Sequence, residues 1–313
     1  MNGTDGPATA TTDARATRSP LGLGLAAVVG SALAFTLSLS VIKWPGIAGS
    51  AIAWWRLLGS SLLWWAFILA RRARTGRALP TLSDWRVATP AALFFAVNIS
   101  FFFLALTRTS VAHADFINSM APLALIPAGY LFFGERPRWR ALAWGLLSIA
   151  GLTIILTGGS SDGVATIEGD LLVVVGVLGF VGYQLFAKRA RGLGVEPFDF
   201  MAIVMPVALV AATPIALVTA GDDLWPLSGT AWASIAMLSV LTGMLAHTLL
   251  YYAQRSVPIA TISVIQTGQP SISTFWAWLL LGEAITLTQG FGMVLATSGV
   301  AAVVWFSRRP PAL

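Results

Sequence analysis

Apolar stretches of about 20 residues recur along this chain, and short clusters of charged residues separate them. A helix of that length spans roughly 30 Å, which is the thickness of the hydrocarbon core of a bilayer. Charged residues make up only 10% of the chain, whereas roughly a quarter of the residues of a soluble domain are charged. These charges are too few to cover a soluble surface. The pattern therefore predicts an all-α, polytopic membrane protein.

Ten membrane spans are predicted, and each is bounded by a charged or glycine-rich loop. They are Leu21–Ile42, Ala48–Ala70, Val87–Leu106, Val111–Phe133, Ala141–Thr157, Leu171–Ala187, Phe198–Ala220, Ala231–Ala253, Ile259–Leu281 and Leu287–Phe306. The first apolar run is longer than the apolar region of a signal peptide, which has roughly 7 to 15 residues, so we expect it to remain as a helix. Residues 1–20 are predicted to form a disordered cytoplasmic tail, and residues 307–313 a second cytoplasmic tail.

The basic residues collect on one side of this arrangement. Over alternate loops and tails, 16 of the 19 Lys and Arg lie on one side, whereas Lys43 and Arg108 lie on the other and Arg56 lies inside the second span. Basic residues beside membrane spans mark the cytoplasmic side. The asymmetry predicts a protein of the cytoplasmic (inner) membrane with both termini in the cytoplasm. The net charge of +6 is then explained by orientation in the lipid bilayer, and no nucleic-acid partner is expected.

The two halves of the chain match each other at an offset of 148 residues. The matching pairs are Ala105 and Ala253, Ala112 and Ala260, Pro122 and Pro270, Gly134 and Gly282, Glu135 and Glu283, and Gly151 and Gly299. A second offset, of 145 residues, relates Phe35 to Phe180 and Lys43 to Lys188. Each half holds five predicted spans, and an odd number means that the second half enters the membrane from the opposite side. Residues 21–158 and 169–306 are therefore predicted to form two inverted five-helix repeats, which are typical of secondary transporters.

In each repeat a proline is followed after 12 residues by Gly-Glu, at Pro122 and at Pro270. Together with Lys43 at the end of the first span and Arg56 in the second, these motifs resemble the EamA-type transporters of the drug/metabolite transporter superfamily. The resemblance covers nearly all of residues 21–306. It implies ten helices, two EamA domains and the export or uptake of small metabolites, often amino acids. It does not identify the substrate.

Polar side chains inside the hydrocarbon are costly unless they face a cavity or a partner. The fourth span carries polar residues and a proline at i, i+3, i+4 and i+7, which is one helix face; they are Asp115, Asn118, Ser119 and Pro122. The offset of 148 maps them onto Ser263, Gln266, Thr267 and Pro270 of the ninth span. This duplicated face predicts a substrate path near the membrane midplane. Alternatively, Asn118 and Gln266 hydrogen-bond neighbouring helices, a structural use worth about 0.6 kcal/mol.

Three further residues are candidates for the substrate path: Asn98, Tyr183 and His247. For His247 the alternative is a structural role, in which its side chain packs between helices. Asp115 is the one acid well inside a predicted span. Two roles stay open for Asp115. In a functional role it carries protons or binds a substrate amine; in a structural role it pairs with Arg56.

The three cations outside the basic side, which are Lys43, Arg56 and Arg108, are predicted to form an outer vestibule suited to carboxylates. Arg56 stands beside Trp54 and Trp55, which also favours a side chain that extends to the membrane interface within an aromatic belt.

The sequence offers little for catalysis. It has no Cys, two scattered His, no His-Glu-x-x-His motif and no Gly-rich Lys loop, so no catalytic residue, metal site or cofactor is predicted. The leading hypothesis is a secondary transporter that exports amino acids or related compounds by alternating access. A channel and an integral-membrane enzyme are the alternatives. The expected partners are a small-molecule substrate, lipid and, as a candidate coupling ion, the proton; a monomer and a homodimer both remain open.

Overall fold

A computed structural model describes residues 20–42, 46–105, 108, 114, 117–118, 121–135, 139–157, 167–225, 228–281 and 286–308. Within these ranges all regular structure is helical. The α-helices are α1 (Pro20–Ile42), α2 (Gly49–Thr75), α3 (Leu82–Ala105), α4 (Ala121–Phe133), α5 (Trp139–Thr157), α6 (Ile167–Gly192), α7 (Pro197–Thr219), α8 (Gly229–Leu238), α9 (His247–Ala253), α10 (Ile259–Gln266), α11 (Gln269–Leu281) and α12 (Leu287–Arg308). A 3-10 turn, Gly221–Leu224, precedes α8, and a π-helical segment, Ser239–Ala246, joins α8 to α9.

Six stretches of the described chain are long and apolar enough to cross a membrane: Pro20–Ser38, Gly49–Thr75, Leu82–Ala105, Ile167–Gly192, Pro197–Thr219 and Gly229–Ala253. Three shorter apolar helices are Leu123–Phe133, Leu142–Gly151 and Gly290–Ala302. Large apolar side chains such as Leu131 and Val218 are exposed on the outside, where lipid and not water suits them. The prediction of a multi-pass helical membrane protein is confirmed. Most of the predicted N-terminal tail lies outside the described residues, and α12 runs two residues into the predicted C-terminal tail.

The ninth predicted span is interrupted. Helix α10 ends at Gln266, a turn follows at Thr267 and Gly268, and α11 begins at Gln269. Pro270 explains the break, because it has no N–H for the carbonyl of Gln266 and its ring crowds that carbonyl. The backbone near this turn is polar and sits where the two halves of the chain meet.

The helices pair in a twofold pattern. Helix α5 packs on α12, α2 on α7 and α4 on α10, so that equivalent helices of the two halves meet. Helix α3 packs on α6 and α7, and the segment equivalent to α3, from α8 to α9, packs on α1 and α2. The same reciprocity holds for single residues at the offset of 148. Gly151 faces Gly292 and Ala296, whereas Gly299 faces Trp144 and Ser148.

Glu196, just before α7, accepts hydrogen bonds from Arg77 and, at 3.5 Å, from Nη2 of Arg71. The hydrogen bond from Arg77 lowers the pKa of Glu196 below its ordinary value of 4.5, and the carboxylate in turn raises the pKa of Arg77. Because the folded pKa of Glu196 is lowered, the stability from this pair is present above pH 4.5 and is lost as the pH falls through the folded pKa.

We expect Glu196→Gln to lower the stability at pH 7 by less than about 1 kcal/mol, because exposed ion pairs contribute little. Thermal unfolding of wild type and variant in detergent at a series of pH values checks this. The difference should shrink below pH 4.5 and vanish once the pH lies below the folded pKa of Glu196, where the wild-type carboxylate is protonated. A difference that stays constant over that range would contradict the prediction.

Candidate ligand-binding cavity

A cavity of about 130 Å³ lies between the two halves of the chain. Its wall is built from α1 to α4, from α6, and from the stretch between the π segment and α11. Four phenylalanines form its apolar part: Phe35, Phe102, Phe103 and Phe180. The polar part consists of Ser38, Arg56, Asn98, Asn118, Thr242, His247, Ser263, Gln266, Thr267, Gln269 and Ser273. No Asp or Glu belongs to the described lining, so its charge comes from Arg56.

The structure brings together members of both predicted polar faces. Asn118 of the first half lines the cavity with Gln266, Thr267 and Pro270 of the second half. Ser263, the repeat equivalent of Asp115, also lines it. Asp115 and Ser119 themselves lie outside the described residues. Pro122 lies in the first turn of α4, and α4 packs against α10, the helix that carries Gln266.

Asn98 and His247 line the cavity as well, but both also pack against the fold. The side-chain amide of Asn98 donates to the carbonyl of Gly176 at 2.9 Å, which links α3 to α6. The ring of His247 meets the rings of Phe35 and Phe95 edge-on, with centroids 4.8 and 4.7 Å away. His247 is therefore held by packing on two sides while one face remains on the cavity.

Tyr183 is a predicted path residue that the structure places behind the cavity wall. Its side chain is 1% exposed and packs against the rings of Phe95, Phe200 and His247. It is absent from the described lining. The sequence shows that Tyr183 lies in a span, but not which face of the helix meets the core.

Arg56 is buried, with 3% of its surface exposed, and this differs from the interpretation that its side chain extends to the membrane interface. Its Nη1 donates to Oγ1 of Thr242 at 2.7 Å, and its guanidinium lies 5.6 Å from the ring centre of Phe103. The neighbouring Trp54 and Trp55 donate their indole N–H groups elsewhere, to Thr213 and to the carbonyl of Leu224. These contacts turn Arg56 into the cavity.

The predicted outer vestibule is not assembled by the described residues. Arg108 forms an ion pair with Glu168 and does not line the cavity that holds Arg56. Lys43 lies outside the described residues.

Sequence reasoning missed several lining residues, among them Ser38, Thr242, Gln269 and Ser273. Thr242 lies in the π segment, where helical periodicity does not predict the direction of a side chain. The sequence contains one indication of the aromatic residues in the cavity wall. The repeat offset of 145 pairs Phe35 with Phe180, and both rings line the cavity.

Several polar atoms of the cavity lining have no hydrogen-bond partner among the described residues. Four of its side chains carry them, and the atoms are Nε and Nη2 of Arg56, Nδ1 of His247, Oε1 of Gln266 and Oγ of Ser273. Buried polar groups are nearly always satisfied in folded proteins, and exceptions call for an explanation. A polar molecule in the cavity would supply the missing partners.

The sequence model of one transporter family matches both halves of the chain, at residues 19–157 and 167–305. The chain belongs to the EamA-like transporter family. This confirms the resemblance drawn from the Gly-Glu motifs. The family is one of transporters and both named relatives are transporters, which is the class of protein that the sequence predicts in place of an enzyme.

Two curated relatives are similar over part of their length. The threonine/homoserine exporter RhtA of Salmonella typhimurium (strain LT2) is 24% identical over 201 residues, which cover 62% of this chain and 64% of the exporter. The S-adenosylmethionine/S-adenosylhomocysteine transporter of Chlamydia trachomatis serovar L2 is 24% identical over 202 residues, which cover 61% of each protein. The chain thus matches less than two thirds of either relative.

The fold is shared with a solved crystal structure. The two superpose with a TM-score of 0.72 at 19% sequence identity, and the superposition covers 94% of this chain and 99% of the other. The likeness shows a common helical architecture over the whole molecule.

Proposed function

We propose that this protein is a secondary transporter that moves a small metabolite across the cytoplasmic membrane by alternating access. The observation that carries the proposal is the position of the cavity, which is lined from both repeats and holds unpaired polar atoms. In transporters built from inverted repeats, the substrate site lies at the repeat interface, and rocking of one half against the other exposes it to each side in turn.

The proposed topology has ten spans in two inverted repeats, residues 21–158 and 169–306, with both termini in the cytoplasm. Six long and three shorter apolar helices support it. The reciprocal packing of equivalent helices supports the duplication, and the basic residues support the orientation.

The proposed substrates are amino acids or related compounds, and the proposed direction is export. Support comes from the name of one relative, a threonine/homoserine exporter. The size of the cavity also supports a small substrate. Its volume of about 130 Å³ is close to that of a cavity of roughly 150 Å³ that accepts benzene, so a single amino acid suits it better than a nucleoside. The proton remains the candidate coupling ion.

Flux through proteoliposomes tests the proposal. We expect uptake of labelled threonine or homoserine to saturate, to be inhibited by unlabelled compound, and to show counterflow from preloaded vesicles. Repeating the assay with an imposed pH gradient tests coupling to protons. Flux that rises linearly with concentration and shows no counterflow would contradict a carrier and favour a channel.

A matched pair of Gln→Leu variants separates transport from folding. Oε1 of Gln266 has no hydrogen-bond partner in the part of the chain that the structure describes, so Gln266→Leu should lower flux about tenfold or more with little change in melting temperature. By contrast, the side chain of Gln254 donates to Oε1 of Gln184 at 2.8 Å in a buried position. Gln254→Leu leaves that oxygen unpaired and should cost about 1 to 3 kcal/mol. Normal flux in a well-folded Gln266→Leu protein would argue against the cavity as the transport site.

A further inference from the structure

Arg56 is a buried charge whose counter-ion is missing from the described chain. The ion pairs of the described residues engage Arg71, Arg77, Arg108 and Lys188, and no acidic side chain belongs to the described cavity lining. An unpaired buried charge costs several kcal/mol. A charge kept at such a cost inside hydrocarbon points to a working role.

The orientation of the guanidinium shows what it can bind. Nη1 is engaged by Thr242, and one face of the group lies over Phe103. Among the described residues, the guanidinium atoms without a hydrogen-bond partner are Nε and Nη2. These two neighbouring N–H donors form one straight edge of the guanidinium, and that edge matches both oxygens of a carboxylate in a bidentate pair.

The surroundings of Arg56 select against a cationic ligand. The other described polar groups of the cavity are neutral amides, hydroxyls and His247, so a ligand cation would meet the charge of Arg56 with no described carboxylate to offset it. The rings of Phe35, Phe102 and Phe180 accept an apolar portion. Oε1 of Gln266 accepts a hydrogen bond from a hydroxyl or ammonium group of the same ligand.

From this arrangement we propose that Arg56 binds the carboxylate of the transported molecule, which makes the substrate class a small carboxylate with an apolar or hydroxylated remainder. The inference rests on the proposed transport function. Arg56 belongs to α2 of the first half and is held by Thr242 of the second half. A carboxylate at this position therefore binds where the two halves meet, and its binding is linked to their relative movement.

Binding to the purified full-length protein in detergent tests the inference without flux. The probes are lactate and benzoate, each compared with its uncharged methyl ester or amide, and the L-amino acids, each compared with its uncharged N-acetyl amide. We expect one or more carboxylates to raise the melting temperature, whereas the neutral derivative of the same compound does not. The inference is overturned if no carboxylate of the panel binds the wild type, or if acid and neutral derivative bind equally well.

Variants of Arg56 then assign the effect to this side chain. We expect Arg56→Gln to weaken carboxylate binding by about 30-fold or more, roughly 2 kcal/mol, and Arg56→Lys to retain part of it because the charge remains but the paired donors do not. Arg74→Gln, an exposed arginine of the same helix, is the matched control and should bind as the wild type does. Carboxylate binding that survives in folded Arg56→Gln overturns the inference.

Asp115 is the competing partner of Arg56, and a double variant decides between the two. If Arg56 binds the carboxylate of the ligand, Asp115→Asn leaves the preference for carboxylates over their neutral derivatives unchanged. If the two residues form a structural pair, each single variant loses folded protein and Arg56→Gln with Asp115→Asn restores it, which would overturn the inference. Saturable flux of a compound without a carboxylate would refute the role of Arg56 but leave transport standing, whereas carboxylate binding without any flux would refute transport alone.

Discussion

Gly151→Val is expected to remove most of the folded protein from the membrane, and Gly299→Val to do the same. A Cβ at position 151 would lie 2.6 Å from the carbonyl oxygen of Gly292, and a Cβ at position 299 would lie 2.7 Å from the carbonyl oxygen of Trp144. Both neighbours are backbone atoms, so the clash is relieved only if α5 and α12 move apart. In membranes, small residues are what allow two helix backbones to approach so closely.

The expected cost is about 1 to 3 kcal/mol for alanine at either position and more for valine. Protein abundance in membranes and the melting temperature after detergent extraction measure it. Gly290→Ala in the same α12 is the control, since no atom of the described residues lies within 4 Å of the Cβ there. The double variant Gly151→Ala with Gly299→Ala should cost less than the sum of the two, because one separation of the helices relieves both clashes. Wild-type abundance of Gly151→Val would show that α5 and α12 do not pack in this way.

The parts of the fold that follow membrane rules could be predicted from the sequence. Apolar length placed the first helix from Leu21 to Ile42, and the structure has Pro20–Ile42. The offset of 148 paired Gly151 with Gly299, whose reciprocal packing now links the two halves. These predictions succeed because hydrocarbon thickness and internal duplication act on the sequence directly, without knowledge of which helices are neighbours.

The parts that depend on neighbouring helices could not be predicted. Tyr183 and Phe180 lie in one helix, but only Phe180 lines the cavity, since α3 and α9 cover the other side chain. Arg56 sits beside two tryptophans, a pattern typical of the membrane interface, yet Thr242 and Phe103 hold it inside. Thr242 owes its position to a π-helical segment, and no periodicity in the sequence signals that departure from the α-helix.

Glu135 joins three helices on the side of the molecule that carries the basic residues. Its Oε2 accepts a hydrogen bond of 2.9 Å from the backbone N–H of Ile259, at the start of α10. Its Oε1 pairs with Lys188 of α6, and both side chains are only 16% exposed. The sequence pairs Glu135 with Glu283 but does not identify these partners. The carboxylate follows α4, so it ties the end of that helix, in the first repeat, to the second repeat.

We expect the contacts of Glu135 to hold one route to the cavity closed, and Glu135→Gln to open it. Ile259 precedes Ser263, which lines the cavity, by four residues, and this places the carboxylate roughly 6 Å from the cavity along the axis of α10 at about 1.5 Å per residue. An opening of the cavity between α4, α6 and α10 breaks the ion pair. Glutamine keeps an acceptor for the N–H of Ile259 but loses the charge that pairs with Lys188. We therefore expect a loss of about 1 to 3 kcal/mol in stability, less than for a fully buried pair.

Labelling of a cysteine in the cavity measures the opening, and the chain has no native cysteine to add background. The measurement uses a protein that carries Ser263→Cys and a membrane-impermeant maleimide added from the basic side. Adding Glu135→Gln should raise the labelling rate several-fold, because each kcal/mol removed from the stability of the closed state raises the open population about fivefold. Glu196→Gln, which breaks an exposed ion pair near the same ends of the helices, should not. An unchanged labelling rate in folded Glu135→Gln would mean that this ion pair stabilises the helices without closing the cavity. A faster rate in both variants would mean that any loss of charge loosens the bundle, since of these two carboxylates only Glu135 joins helices that all line the cavity.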